Sequence, residues 1–343
     1  MRLGVLTAIA AAVMFGVSAP IIAWAGRGVF ATACLLYAGA ALVGHGARAV
    51  RRDRTFSLHR ADAPRLVAIA VAGAALAPVL LVVGLERAGA LTSSLLLNLE
   101  AVFTVVLAAV IHRELIGGRV WIAVGLMASG GAALSLDAAL RGTGSVIGAT
   151  AVLGATLAWA LDNTLTQPLS DRQPFDVVAA KATLGAALTG VLALALGDSW
   201  PDLARVAALL ACGATAYGLS LALYILAQRR IGAARTGSVF ALAPFIGALV
   251  AWLAGDRVLG VWAVAAIALF AVGVWLHLSE QHRHRHHHSA VAHDHVHRHD
   301  DGHHTHDHDP AFVGEHAHPH QHAALDHDHL HDHGDSDHAH DHA

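Results

Sequence analysis

Apolar residues in this chain come in long unbroken runs rather than in the narrow stripes of a soluble helix. Ten such runs cover 3–24, 28–47, 66–85, 91–111, 120–136, 145–165, 177–196, 203–227, 236–254 and 258–278. A hydrocarbon core of ~30 Å takes about 20 residues of α-helix to cross, and each run comes near that length. A water-soluble domain would pair each apolar stripe with a wet face, and these runs have none. The pattern predicts an all-α polytopic membrane protein of ten transmembrane helices.

Composition sharpens this picture in three places. Alanine and glycine crowd the runs, and small residues let helix backbones approach closely in lipid; Ala151/Ala155 and Ala186/Gly190 have the small-xxx-small spacing. Both cysteines, Cys34 and Cys212, fall inside runs without CxxC spacing. They read as small buried hydrophobes rather than a disulfide or a thiolate metal site. Near the N-terminus, Val17-Ser18-Ala19 resembles a signal-peptide cleavage site, but the apolar run continues to Trp24 and nine more follow. The first run is therefore expected to stay as a transmembrane helix.

Arginine placement sets the expected orientation. With a cytoplasmic N-terminus, the inside segments hold Arg2, then Arg48, Arg51, Arg52, Arg54, Arg60 and Arg65, then Arg113 and Arg119. Arg172, then Arg229, Arg230 and Arg235, and finally Arg283 and Arg285 continue that side. The outside loops hold only Arg27, Arg87, Arg141, Arg205 and Arg257. By the positive-inside rule both termini are cytoplasmic, in an inner-membrane protein, and Trp24, Trp121, Trp252, Trp262 and Trp275 near run ends suit an aromatic belt.

The chain also repeats itself. The stretch that begins Gly89-Ala90-Leu91-Thr92-Ser93-Ser94 returns 143 positions later as Gly232-Ala233-Ala234-Arg235-Thr236-Gly237, with Glu114 and Asp256 closing the two runs. Phe15-Gly16 lines up with Trp159-Ala160 at nearly the same offset. One unit is five helices, and an odd number of crossings turns the second unit upside down relative to the first. Inverted repeats with a site at their interface are a mark of secondary transporters. The expected parts are a first repeat over 1–140, a second over 141–279, and a tail over 280–343.

A five-helix unit whose fourth helix carries this glycine-alanine, small-polar pattern and ends in an acid resembles the EamA-type repeat of the drug/metabolite transporter superfamily. The resemblance covers roughly 3–137 and 145–278, with Asn98-Leu99-Glu100 in the fourth run and Asp162-Asn163 in the sixth. It implies ten helices as two inverted five-helix repeats, cytoplasmic termini, and a central cavity lined by helices one, three, four, six, eight and nine. One departure is that Pro244 has Glu100 or Ala101 opposite it in the first half, so the halves are not functionally equivalent.

Ionisable residues inside a run are costly, on the order of 2.5–3.5 kcal/mol on insertion scales, and each is a candidate for function. Glu100 lies near the centre of the fourth run, and Ser93, Glu100 and Thr104, spaced by seven and four, fall on one helical face. Desolvation there disfavours the charged acid, which suits uptake and release of a proton; a structural acid bonded to a neighbouring helix is the alternative. Asp162 and Lys181 are expected at similar depth, able to pair as a structural ion pair. Trp159, Asn163 and Thr166 add a polar and aromatic stripe to the sixth run, suited to a solute with one apolar and one polar end. Asn98, Glu100, Thr104, Trp159, Asp162, Asn163 and Lys181 are therefore the candidate pathway residues. Pro78 and Pro244 break the backbone ladder of the third and ninth runs and are candidate hinges.

No phosphate-binding glycine loop, nucleophile elbow or zinc-protease motif occurs, so neither an enzyme nor an ATP-driven pump is expected, and no nucleic-acid partner. No cofactor is required for transport. The tail is a separate matter: residues 282–342 carry 24 of the 28 histidines, mostly as His-x-His with interleaved Asp. Such a composition predicts disorder. His293, His295, His297, His299, His303, His304, His306, His308, His327, His329, His331 and His333 are candidate ligands for Zn²⁺, Ni²⁺, Co²⁺ or Cu²⁺. The runs hold no comparable ligands, since His45, His112 and His277 all lie at run ends. The leading expectation is a secondary transporter exporting a small organic metabolite or amino acid, with a metal-binding regulatory tail. Alternatives are a divalent-metal transporter fed by the tail, or a membrane-bound metal buffer or sensor; a homo-oligomer is left open. Orientation is checked by fusions: a periplasmic reporter should be active after Arg141 and a cytoplasmic one after Arg172, and the opposite pattern would overturn it.

Overall fold

In a computed structural model of the 343-residue chain, the described residues are 2–50, 57–111, 116–169, 172–231, 236, 239–256 and 260–278. Four short segments within 283–330 are described as well. Two compact units result, 1–280 and 281–343.

The described residues of the first unit form helices and the turns between them. Among them, eight helices are long and apolar enough to cross a membrane: α1 (Leu3–Ala25), α2 (Val29–Val50), α3 (Arg60–Ala88), α4 (Ala90–Ile111), α5 (Gly118–Arg141), α6 (Gly144–Thr166), α7 (Pro174–Ala195) and α8 (Leu203–Ile231). Two shorter apolar helices follow, α9 (Ala243–Leu253) and α10 (Val261–His277). In the ninth run, expected over 236–254, residues 236 and 239–240 are helical, the chain turns at 241–242, and helix resumes as α9. Pro244 in the first turn of α9 explains the break, because proline cannot donate to a helix continuing from upstream.

Packing follows from a solvent as apolar as the side chains. Hydrocarbon gives no hydrophobic drive between helices, so close van der Waals contact holds them together. Alanines therefore fill the inside, among them Ala8, Ala11, Ala33, Ala40, Ala74 and Ala155, while Leu188, Val191 and Leu194 of α7 and Trp275 of α10 face outward. Between α2 and α8, a Cβ on Gly39 would strike the Leu210 carbonyl, and one on Gly213 the Leu36 carbonyl. α2 packs against α7, α5 against α10 and α4 against α9, each helix against its own mate at an offset near 143. The pairs α1 with α8 and α3 with α6 change places when the two halves are exchanged.

Local geometry repeats as well. α3 contains a π-helical turn over Ala70–Leu76, and α8 contains one over Gly213–Leu219. These are the same positions displaced by 143 residues. α4 is broken at 97–98 and the chain turns again at 241–242 ahead of α9, a displacement of 144. Broken helices at matching places in two repeats, as in many secondary transporters, supply irregular backbone where it is buried in protein rather than lipid.

Most of the tail, 280–343, lies outside the described residues. Four strands are described there: β1 (Arg283–His288), β2 (Ala292–His297), β3 (His316–Gln321) and β4 (Leu325–Leu330). β1 pairs with β4 and β2 with β3, both antiparallel. Alternation of histidine with a second residue has the strand period of two, which a purely compositional argument overlooks. Each sheet has only two strands, a size that is marginal in water by itself.

Candidate functional site

The site begins with a missing hydrogen. In the π turn of α3, the Ala77 amide donates five residues back to the Ala72 carbonyl. The next amide in that register belongs to residue 78 and would reach the Gly73 carbonyl, but residue 78 is proline and has none to give. Two side chains take the place of that amide. The Tyr37 hydroxyl of α2 donates to the Gly73 carbonyl at 2.5 Å, and the Trp159 indole N–H of α6 donates to it at 3.0 Å. Gly73 also has to be glycine, since a Cβ there would run into the Asp162 carboxylate. One residue thus draws α2, α3 and α6 together.

Asp162 and Lys181, from α6 and α7, form an ion pair with Lys181 Nζ donating to Asp162 Oδ2. Thr166 donates to the other carboxylate oxygen at 3.4 Å. Asp162 is buried and Lys181 nearly so. Removing either partner alone would leave an uncompensated buried charge, which typically costs about 3–5 kcal/mol.

Glu100 occupies the first turn of the second half of α4, Leu99–Ile111, where the partial positive charge of a helix N-terminus favours an acid. Its Oε1 accepts from Asn163 Nδ2 at 2.7 Å. Glu100 remains half-exposed and Asn163 exposed. Glu100 interacts electrostatically with both Asp162 and Lys181. The cluster therefore holds two acids and one ammonium.

An aromatic group adjoins it. Phe15 of α1 lies with ring centroids 6.4 Å from Trp159, 5.8 Å from Tyr217 of α8 and 5.4 Å from Phe240. Tyr217 is also 5.5 Å from Tyr37 and 6.3 Å from Trp159. The Tyr217 hydroxyl is buried beside Ser18 yet makes no hydrogen bond of ordinary geometry among the described residues.

Glu100, Asp162, Asn163, Lys181 and Trp159 are thus brought together, as a polar cluster next to an aromatic one. The other candidates turn away. Asn98 donates to the Leu95 carbonyl at 2.9 Å and closes off the first half of α4. Thr104 donates to the Glu100 carbonyl at 2.8 Å, so its hydroxyl is spent on its own helix. Ser93 stands before the break and is no longer in register with Glu100. Pro78 and Pro244 both sit in the first turn of a new α-helical segment, so neither is a kink in the middle of a continuous α ladder. Tyr37, Gly73, Tyr217 and Phe240 were missed. At an offset of 144, Tyr37 corresponds to Lys181 and Ser18 to Asp162, so the repeat itself held a signal for Tyr37.

Both ends of the bundle are latched across the halves. At one end Asp198, following α7, accepts from the Phe30 and Ala31 amides of α2 at 2.7 and 3.0 Å. Gly28 has φ +66° beside it, a left-handed conformation that leaves room for that carboxylate. At the other end Ser57, following α2, accepts from the Gln173 amide that opens α7 at 2.9 Å and donates to Asp176 at 2.9 Å. Arg48 pairs with Asp176 and Arg172 with Asp62, each at 3.1 Å.

Among the described residues no group of three or more His, Cys, Asp and Glu side chains could hold a metal ion. Of the tail candidates, His293, His295 and His297 lie in β2 and His327 and His329 in β4. His299, His303, His304, His306, His308, His331 and His333 lie outside the described residues. His45 is engaged with Thr183 at 2.9 Å.

A polytopic bundle with a charged cluster where its repeats meet is the form of a membrane transporter, and comparison with known proteins gives the family. The model of the EamA-like transporter family matches residues 2–136 and again 146–279, and the chain belongs to that family. An uncharacterized transporter of Methanothermobacter thermautotrophicus is 28% identical over 202 residues, 57% of this chain and 59% of that protein. The chain thus spans somewhat over half the length of this relative. A crystal structure of a protein at 18% identity has a TM-score of 0.60 and covers 80% of this chain and 98% of that one, a likeness of fold alone.

The Gly73 acceptor can be checked by a double-mutant cycle. Loss of the Tyr37 hydroxyl in Tyr37→Phe should lower stability in detergent by about 0.5–1.5 kcal/mol. Pro78→Ala supplies the missing amide, so Tyr37→Phe should cost clearly less in that background. Equal costs in both backgrounds would disprove the link between Pro78 and Tyr37.

Proposed function

We propose that this chain is a secondary transporter that exports a small organic metabolite or amino acid, and that Glu100 couples transport to a proton or cation gradient. The observation that carries the reading is the cluster of two acids and one ammonium at the break in α4, beside an aromatic group with apolar surface. Lys181 neutralises Asp162, which leaves Glu100 as the acid whose charge depends on what it binds. The halves 1–140 and 141–279 would move against each other about this cluster, with the latches at Asp198 and at Ser57, Asp62 and Asp176 opening in turn. In this reading both termini are cytoplasmic in an inner-membrane protein.

In proteoliposomes, Glu100→Gln should abolish gradient-driven flux while exchange of labelled solute at zero gradient stays largely intact. Equal loss of both at saturating solute would mean that Glu100 is indispensable to the site or to the fold, and the coupling role would fall.

A second reading has one observation in its favour, the density of histidine after α10. In it the chain carries Ni²⁺, Co²⁺ or Zn²⁺, or the tail serves as a metal buffer or sensor. Either way the tail should bind metal through neutral imidazole. With histidine titrating near pH 6.5 and metal requiring the neutral ring, several ions should be held at about pH 7.5 and mostly released by about pH 5.5. Isothermal titration at the two pH values measures this. Truncation after Glu280 then separates the readings. Organic-solute flux that persists with an altered metal response makes the tail regulatory, whereas loss of all transport in a stably inserted protein favours the metal carrier.

A further inference from the structure

We infer that the solute taken at the Glu100 cluster is an organic amine bearing a positive charge and an apolar body, rather than a zwitterion or an anion. This rests on the reading of that cluster as the solute site. Three separate observations point the same way.

The first is charge. Glu100 and Asp162 face one ammonium, and Lys181 is already committed to Asp162. A solute carboxylate would find no free cation among the described residues of the cluster and would meet an acid instead. A solute ammonium would find Glu100, which has Asn163 on one carboxylate oxygen. Its other oxygen has neither a hydrogen bond nor an ion pair among the described residues, and the residue is half-exposed.

The second is the neighbouring rings. Phe15, Tyr37, Trp159, Tyr217 and Phe240 lie in a linked group with centroid spacings of 5.4 to 6.4 Å. Ring faces attract a cation, more so where water is scarce, and their area accepts an apolar body. A bare metal ion would want several charged or imidazole ligands, and no group of three or more of these occurs among the described residues.

The third is the Tyr217 hydroxyl, buried without a hydrogen bond of ordinary geometry. A buried polar group left unpaired is unfavourable by itself. Tyr217 sits between Trp159 and Tyr37 and within electrostatic reach of Glu100. An ammonium N–H seated between Glu100 and the rings would supply a partner for it.

Three probes with one skeleton and different charge test the inference on the purified full-length protein: 2-phenylethylammonium, L-phenylalanine and 3-phenylpropionate. Binding is measured by calorimetry in detergent at neutral pH. The ammonium should bind, with the zwitterion and the anion each weaker by roughly tenfold or more, as expected when a charge meets a desolvated carboxylate. Glu100→Gln should raise the Kd for the ammonium about tenfold, a deficit that saturating solute overcomes in an exchange assay, and Tyr217→Phe, which keeps the ring, should raise it a few-fold. If Glu100→Gln does not fold, Tyr217→Phe and the ranking of the three probes still decide. Tighter binding of the anion or the zwitterion, binding of none of the three, or ammonium binding unchanged in the variants would each overturn the inference. Flux in proteoliposomes is scored separately. Ammonium binding without flux of any solute would sink the transporter reading alone, and flux of a carboxylate without ammonium binding would sink this inference alone.

Discussion

Hydrocarbon offers no hydrogen bonds, so a backbone group released from a helix inside the bilayer must find its partner within the protein. Much of the centre of this molecule follows from that constraint. Pro78 removes one amide from α3, and the carbonyl it would have served at Gly73 is met by Tyr37 from one helix and Trp159 from another. The break in α4 frees backbone groups in the same way. Asn98 takes up the Leu95 carbonyl, and the exposed N-terminus of the second half of α4 receives Glu100. Irregular backbone, polar side chains and a candidate site therefore occur together because each requires the others.

The two repeats solve the same packing problem with different chemistry. α2 against α7 and α4 against α9 are near-symmetric contacts, and small residues set their spacing. At the centre the symmetry gives way. The second half places Asp162 and Lys181 where the first has Ser18 and Tyr37. A shared scaffold thus has a charged face on one side and a neutral hydrogen-bonding face on the other, an asymmetry that two identical halves could not have.

How much of this was legible in the sequence depended on the kind of signal. Span positions follow from hydropathy, which is summed over about twenty residues and tolerates local irregularity. The repeat was visible because Gly89 and Gly232 open similar stretches. Asp162 and Lys181 stood out because charge in an apolar run is rare, and their pairing follows from matching depth. Tyr37 and Tyr217 carry no such mark, since a tyrosine in a membrane helix is ordinary until its neighbours are known. The π turns left no trace either. They depend on how a helix sheds one residue of strain, and in α8 no proline stands at the position corresponding to Pro78. For Thr104, helical spacing gives the face on which the hydroxyl sits but not that it donates to the Glu100 carbonyl of its own helix.

The matching π turns bear on the integrity of the halves. A π turn is a helix carrying one residue more than its rise requires, and one residue is about 100° of rotation for everything that follows. The widened turn absorbs that residue, so deleting one residue within 70–76 would close the turn to ordinary α-helix and leave Leu81, Val82 and Leu85 in the interior they now fill. A deletion further along α3 would instead turn them out of it. The same holds for 213–219 in α8. Each half thus has one stretch that can give up a residue without rotating the helix beyond it, at the same place in both copies of the five-helix unit.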